Sequence, residues 1–192
     1  KTLGIDVMDA VGTNIQFGAR GREVLRVLPR VNDDVNEEWA TDKARYAIDG
    51  LMRRRLDKPY VRRDGTLQPV SWQDAFQAIA DVNAGSSVAA IAGDQVDCET
   101  MYAAKALLKS MGSDQLEGRQ TGMSYDVTSL DAVRFNTPLA DLEHADVVVL
   151  IGSNPRHEAP LVNTRIRKAI KRGAKIFAFG AETDLTYKVQ WL

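Results

Sequence analysis

Sulfur and imidazole donors are nearly absent from this 192-residue chain, which has one cysteine, Cys98, and two histidines, His144 and His157. A single thiol excludes an intramolecular disulfide, and it excludes a zinc or iron–sulfide site built from several thiolates of these residues. It suits a reducing, cytosolic setting. Neither histidine has a partner at ligand spacing, so each reads as a surface or helix-end residue. No apolar run approaches the ~18 residues a membrane-spanning helix needs, and no charged-then-apolar secretory leader is present. Charge of one sign is also missing: 25 basic residues face 26 acidic ones, for a net charge of -1. Nucleic-acid binders carry a marked basic excess, so no nucleic-acid partner is expected. The local basic runs, Arg53 to Arg55 and the set Arg165, Arg167, Lys168, Lys171 and Arg172, read as solvated faces. The chain opens on Lys1 and stops at "TYKVQWL" without a closing element, so it reads as a piece of a longer polypeptide.

What is present is a foldable soluble sequence, 44% hydrophobic and 27% charged, long enough for one or two domains. The stretch "NIQFGARGREVLRVLP" alternates around Ile15, Phe17, Val24 and Val27, with "GARG" between its halves, and predicts two strands joined by a turn. A helix is expected from Glu38 to Asp49, ending at Gly50. "RRRLDKPYVRRDGTLQP" reads as a polar crossover. From Ser71 the pattern changes to helices alternating with apolar runs. "SWQDAFQAIADV" starts on a Ser71 cap and repeats Trp72, Ala75, Phe76 and Ile79 at helical spacing. "VAAIAG" has strand length, "DCETMYAAKALLKSMG" is a helix capped by Asp97 and stopped by Gly112, and residues 113–143 read as loops with short helical pieces. "ADVVVLIGSNP" is a buried strand ending in a turn. "PLVNTRIRKAIKRG" is a helix with Leu161, Ile166 and Ile170 inward and Arg165, Lys168 and Arg172 outward, and "AKIFAFG" is another strand. Strands apolar on both faces and separated by helices belong to a parallel sheet covered on two sides.

Two places could carry chemistry. The turn Gly152, Ser153, Asn154 follows a buried strand, where small residues let a phosphate reach the amides of the next helix. It lacks the Gly-x-Gly-x-x-Gly and Walker spacings, so on these residues alone it reads as a structural turn ahead of a nucleotide site. Cys98 begins a helix and reads as a packed small residue rather than a reactive thiol. The other place is the set Asp6, Asp9, Thr13 and Thr41, separated by two, three and twenty-seven residues. These are hard oxygen donors with only two charges among them and without the closing Glu of a calcium loop. Iron in a sulfide cluster prefers soft thiolates. A structural divalent cation and simple turn capping both remain open.

That spacing resembles the Cys-x2-Cys-x3-Cys-x27-Cys cluster pattern at the start of molybdopterin oxidoreductases such as formate dehydrogenase, with oxygen residues in all four places. "GREVLRVLPRVNDDVNEEWATDKARY" is similar to that family's hairpin, turn and helix, whose lysine, here Lys43, lies between cluster and pterin. "ADVVVLIGSNPRHEAPLVNTRIRKAIKRGAKI" resembles its pterin-nucleotide strand, loop and helix. Within that superfamily, "IDVMDAVGTNI", "LPRVNDDVNEEW", "DKARYAIDGL", "GSNPRHEAPLVNTRIRK" and "DLTYKVQWL" resemble the large iron–sulfur, G-type subunits of respiratory complex I, along essentially the whole chain.

The resemblance implies a β-rich unit over 1–62, related to the 4Fe-4S domain of these enzymes with its cysteines lost. It implies that 63–192 begins a doubly wound, mostly parallel α/β domain that is incomplete at its C-terminus. It implies a role in electron transfer from NADH to quinone, with 4Fe-4S and 2Fe-2S clusters in an upstream part and this segment a scaffold without a cofactor. Asp6, Asp9, Thr13 and Thr41 are then degenerate cluster positions, and Lys43, Gly152, Asn154 and Pro155 degenerate pterin-nucleotide positions. No catalytic or metal-binding residue is expected. The partners would be other peripheral-arm subunits, on the cytoplasmic face of a bacterial inner membrane or the matrix side of a mitochondrial one, without membrane insertion. The alternative is a pterin- or guanine-nucleotide-binding oxidoreductase domain of formate dehydrogenase type.

Overall fold

Alternation at the N-terminus produces an antiparallel sheet, β1 (Thr2–Ile5), β2 (Asn14–Arg20) and β3 (Glu23–Pro29), in the order β1-β2-β3. Gly21 makes the β2–β3 turn with a positive φ of 61°. Ile15 and Val27 are the buried hydrophobic side chains of this sheet. Gly4 lies beside the Phe17 ring, and a Cβ there would sit 2.6 Å from Phe17 Cε2, so only glycine lets the ring lie against the strand. The computed structural model describes residues 1–192 apart from 51, 52, 84–86, 94, 120, 121, 123 and 125.

The helix expected from Glu38 is shorter. It is α1 (Asp42–Tyr46), followed by one 3-10 turn over Ala47–Gly50. The cause is upstream: the amides of Val35, Asn36 and Glu37 all donate to Asn32 O, and Trp39 N donates to Asn36 O. The segment before Thr41 is therefore already a closed turn, and helix begins only where Thr41 caps it.

The stretch read as a crossover is a hairpin. β4 (Tyr60–Arg63) pairs antiparallel with β5 (Thr66–Pro69) around Asp64 and Gly65, both at positive φ. Asp-Gly between short strands is the usual chemistry of a two-residue turn. α2 (Trp72–Asn83) follows, with Ser71 Oγ accepting from Asp74 N. The strand expected at "VAAIAG" is the two-residue β6 (Ala90–Ile91), which pairs parallel with β7 (Leu116–Glu117); between them α3 (Cys98–Ser110) is capped by Asp97. The interval 113–143 holds β7 and two 3-10 turns, Leu130–Ala132 and Leu139–His144; residues 120, 121, 123 and 125 of it lie outside the described residues.

The C-terminal part is a parallel three-stranded sheet: β8 (Val147–Ile151), β9 (Lys175–Phe179) and β10 (Gln190–Trp191), with β9 central. Between β8 and β9 come the short α4 (Pro155–Glu158) and α5 (Pro160–Lys171). "TYKVQWL", expected to trail without a closing element, supplies β10. α5 covers one sheet face, where Leu150, Ile166, Ile176, Ala178 and Leu185 form the core. Burial of each large aliphatic there contributes about 1.5–3 kcal/mol. On β8, Val147, Val149 and Ile151 are exposed.

The fold is thus mixed α/β. Its compact units are cut across the chain: Lys1–Arg53 with Asp126–Leu192 form one, and Arg54–Tyr125 the other. Among the described residues, no helix is long and apolar enough to cross a membrane.

Candidate functional site

The loop between β1 and β2 carries three of the four cluster-spaced residues, and each spends its oxygens locally. Asp6 Oδ1 accepts from Met8 N at 2.9 Å, and Asp9 Oδ1 accepts from Val11 N at 3.0 Å. Thr13 Oγ1 donates to Asp9 Oδ2 at 3.2 Å, and Asp6 N donates to Thr13 O. Thr41 stands at the start of α1, its Oγ1 accepting from Ala44 N at 3.1 Å. These are two aspartate turns, one side-chain bridge and one helix cap.

One atom is left over. Asp6 is only 4% exposed and its Oδ2 is buried without a hydrogen-bond partner. Burial pushes this carboxyl above the ordinary aspartate value and Asp9 adds to the rise, while the Met8 amide and the Lys43 ammonium oppose it. Lys43 itself donates to His157 O at 3.0 Å, so it links the α1 start to the turn after β8. Among the described residues, no group of three or more His, Cys, Asp or Glu could hold a metal ion. Cys98 is exposed on α3, in the other compact unit.

A sulfide cluster needs thiolates at the four positions, and the donors present are hard oxygens, all but Asp6 Oδ2 engaged by nearby amides or by one another. The residues do not fit the cluster.

The second place lies at the carboxyl ends of β8 and β9. Gly152, at a φ of 61°, donates from its amide to Phe179 O at 2.9 Å. Pro155 is buried and opens α4. A cavity of about 160 Å³ is bordered here by Gly152, Asn154, Glu158, Gly180, Thr183 and Trp191. The Oδ1 of Asn154 is buried without a partner. Asn154 N, the amide a phosphate would use, donates to Glu158 Oε2 at 3.1 Å. A carboxylate of the chain's own therefore occupies the anion position, and among the described residues no lysine or arginine borders the cavity. Its volume is below the roughly 300 Å³ at which ligand pockets begin. The residues do not fit a pterin-guanine dinucleotide either.

A further network ties residues 30–39 to α5 and to the turn before β8, through residues that do not stand out in the sequence. Asn36, 2% exposed, donates from Nδ2 to Arg30 O, Glu37 O and Trp39 O and accepts Asn14 N on Oδ1, at 3.0–3.2 Å. Arg165, expected outward, is 3% exposed. It donates to Glu143 Oε1 at 2.7 Å, to Asp33 O at 2.6 Å and to Val35 O at 3.2 Å. Lys168 bridges Glu143 Oε1, at 3.0 Å, and Glu37. Arg172 donates to Glu143 O and contacts His144 Nδ1. Burial alone would raise Glu143 and lower Lys168. Their mutual hydrogen bonds and charges, with those of Arg165 and Glu37, outweigh it, so Glu143 lies below the ordinary glutamate value and Lys168 above the ordinary lysine value. Glu37 takes a left-handed φ of 52°, a strained conformation that Asn36 and Lys168 hold in place. The available signal was spacing: Arg165 stands four residues after Leu161, on the same helix face.

Comparison with known proteins gives the following. Residues 55–192 match the family model described as molybdopterin oxidoreductase. Residues 1–49 match one described as NADH-ubiquinone oxidoreductase NDSU1/NuoG-like, 4Fe-4S domain. The chain is 42% identical over 193 residues to a protein of Rickettsia felis named as the G subunit of NADH-quinone oxidoreductase, covering 98% of this chain and 29% of that protein. It is similar to proteins of the same name from Rickettsia bellii, at 42% with 28% of the relative covered, and Rickettsia conorii, at 40% with 29% covered. The chain thus spans less than a third of the length of these relatives.

Proposed function

We propose that this chain, which belongs to the molybdopterin oxidoreductase family, is a cluster-free scaffold segment of the large iron–sulfur subunit of an NADH-quinone oxidoreductase. What supports the reading most is the 40–42% identity with these G-type relatives across 98% of the chain. The full subunit then takes part in electron transfer from NADH to quinone, as part of a proton-translocating NADH dehydrogenase. Its 4Fe-4S and 2Fe-2S clusters lie in a part of the polypeptide upstream of this segment. Other peripheral-arm subunits are its partners, at the cytoplasmic or matrix face of the membrane.

Within that subunit, residues 1–62 are the descendant of a cluster-binding domain, matched over 1–49 by a 4Fe-4S domain model, and 63–192 begin the pterin-enzyme-like α/β domain. The parallel strands of 63–192 continue there into a doubly wound sheet. The bare apolar side chains of β8 support this, since parallel sheets are covered on both faces. Asp6, Asp9, Thr13 and Thr41 keep the shape of the old cluster loop with hydrogen bonds. Lys43, Gly152, Asn154 and Pro155 keep the turn of the old nucleotide site, with Glu158 as internal anion. This chain performs no electron step: its residues cap, clamp and position. The formate dehydrogenase alternative has no support among these relatives, and Glu158 stands against its nucleotide.

The test is native electrophoresis of membranes carrying the tagged full-length protein. Comigration with NADH dehydrogenase activity, lost when this segment is deleted, is the expected result. Migration apart from that activity contradicts the proposal.

A further inference from the structure

The N-terminal sheet has two unlike faces. Paired residues of its ladders point the same way, so Gly4, Ile15 and Pro29 share the inner face, and Leu3, Gln16 and Leu28 share the outer one. Ile15 and Val27 are buried on the inner face, whereas Leu3 and Ile5 on the outer face are 62% and 51% exposed. Gly18 and Arg26 lie opposite each other on the outer face. Arg30 extends it, since its amide donates to Asn14 O and so continues the β2–β3 ladder.

Two guanidinium groups on this outer face are held in place. The Arg26 side chain runs over Gly18, where an added Cβ would stand 3.1 Å from Arg26 Cγ and 3.5 Å from its Nε. The bare glycine is the bed on which Arg26 lies. Arg30 Nη2 donates to Asn14 Oδ1. Both arginines are exposed, and among the described residues neither makes an ion pair. Glu23, the only acidic residue in the three strands, stands opposite Arg20 at the hairpin end. In the adjoining loop, Asp6 Oδ1 and Asp9 Oδ1 accept from that loop's own amides. Arg26 and Arg30 are thus pre-oriented and unneutralised, about 13 Å apart along one strand with Leu28 between them.

Planar guanidinium groups in fixed positions match carboxylates in a bidentate geometry. Arginine is enriched at interfaces between chains, whereas inside a domain a fully buried arginine is rare unless paired. The face therefore suits a separate chain rather than more of this one. Anionic lipid surfaces take clusters of about four to eight basic residues, and this face sets only Arg20, Arg26 and Arg30 against Glu23. We infer that the outer face of β1–β3 is the docking surface for an acidic segment of a separate protein chain. Two carboxylates of that segment, about 13 Å apart, pair with Arg26 and Arg30, and an apolar side chain between them packs on Leu28. The inference rests on the respiratory reading only in expecting that chain to be another subunit of the same complex.

The experiment uses the full-length protein in its native assembly, carrying Arg26→Lys or, separately, Arg30→Lys, and treated with a water-soluble carbodiimide. This reagent joins an amine to a carboxylate in ion-pair contact and leaves no linker behind. The variants keep the positive charge, so a folding defect does not enter the readout. The expected product at both positions is an amide to an aspartate or glutamate of one and the same other polypeptide. Arg26→Glu should raise the dissociation rate of that polypeptide on the order of tenfold, as when like charges meet at an interface. A missing amide at either position, or amides formed only within the same polypeptide, overturns the inference. Cosedimentation of the full-length protein with vesicles of anionic phospholipid, lost on Arg26→Glu, also overturns it. The proposed respiratory function is read separately, by comigration with NADH dehydrogenase activity. Amides to a polypeptide that migrates apart from that activity would contradict the function and keep the surface.

Discussion

On the proposed reading, the loop at Asp6–Thr13 and the turn at Gly152–Pro155 are the former cluster and nucleotide sites, and the two differ in how their polar groups are satisfied. In the first, every replacement side chain except Asp6 Oδ2 is satisfied by its own neighbourhood, and the loop is tied through Asn36 and Arg165 to the rest of its unit. In the second, a small cavity remains and one carboxylate, Glu158, takes the amide an anion would need. The difference teaches that a multidentate ligand site must be rebuilt as a hydrogen-bond network, because four empty ligand positions would each strand a polar group. A backbone anion site needs only one internal competitor.

Substitutions should separate the two. Asn36→Ala removes three donated bonds and one accepted bond from a buried hub, and should cost about 4 kcal/mol at 1–3 per stranded group, seen as accelerated proteolysis at residues 32–39 of the full-length protein. Arg165→Met leaves Glu143 with Lys168 alone and should cost about 3 kcal/mol by the same assay. If either substitution is silent, the first region does not depend on the clamp and the two regions do not differ in this way.

The next effect is pH dependence. The folded value of Glu143 is lowered, so its contribution is present above the unfolded value, about 4.3, and is lost as pH falls through the folded one. The folded value of Lys168 is raised, so its contribution is lost only as pH rises through that value, above about 10.4. Protection of residues 32–39 from hydrogen exchange should therefore hold at neutral pH and fall at both extremes. Asp6 runs the other way: its raised carboxyl favours the protonated fold, and stability is lost as pH rises through its folded value. Asp6→Asn should accordingly stabilise the protein at pH 7 by about 1 kcal/mol, read as a higher melting temperature, since Oδ1 still accepts from Met8 and no buried charge remains. The smallest effect belongs to the second region. Glu158→Gln should change stability by less than about 0.5 kcal/mol, as exposed positions do, and calorimetry with guanine nucleotides should show no heat in the unsubstituted protein.

These regions were unequally legible in the sequence. The β2–β3 hairpin, the caps Ser71 and Asp97, α5 and the strands at β8 and β9 follow from alternation, helical period and turn residues, all local signals. The Asp64-Gly65 hairpin was also locally encoded, but arginine and proline on either side favoured a crossover. Arg165 was misplaced because its charge argued outward while its spacing from Leu161 argued inward, and burial of a guanidinium depends on Glu143 and on carbonyls some 130 residues away in the chain. Asn36 as a hub was not legible, since its four bonds depend on a turn geometry that no single residue type specifies. At the two sites, residue identities revealed the missing thiolates, but neither the orphaned Asp6 oxygen nor the Glu158 substitution for a ligand, which are facts of position.

The central claim is that no iron is held at Asp6, Asp9, Thr13 and Thr41. The direct measurement is iron and acid-labile sulfide content, with the low-temperature EPR spectrum, of the assembled full-length protein carrying Asp6→Asn together with Thr13→Val. The account predicts the same content and spectrum as the unsubstituted protein. Loss of one cluster's iron and of its signal would contradict it.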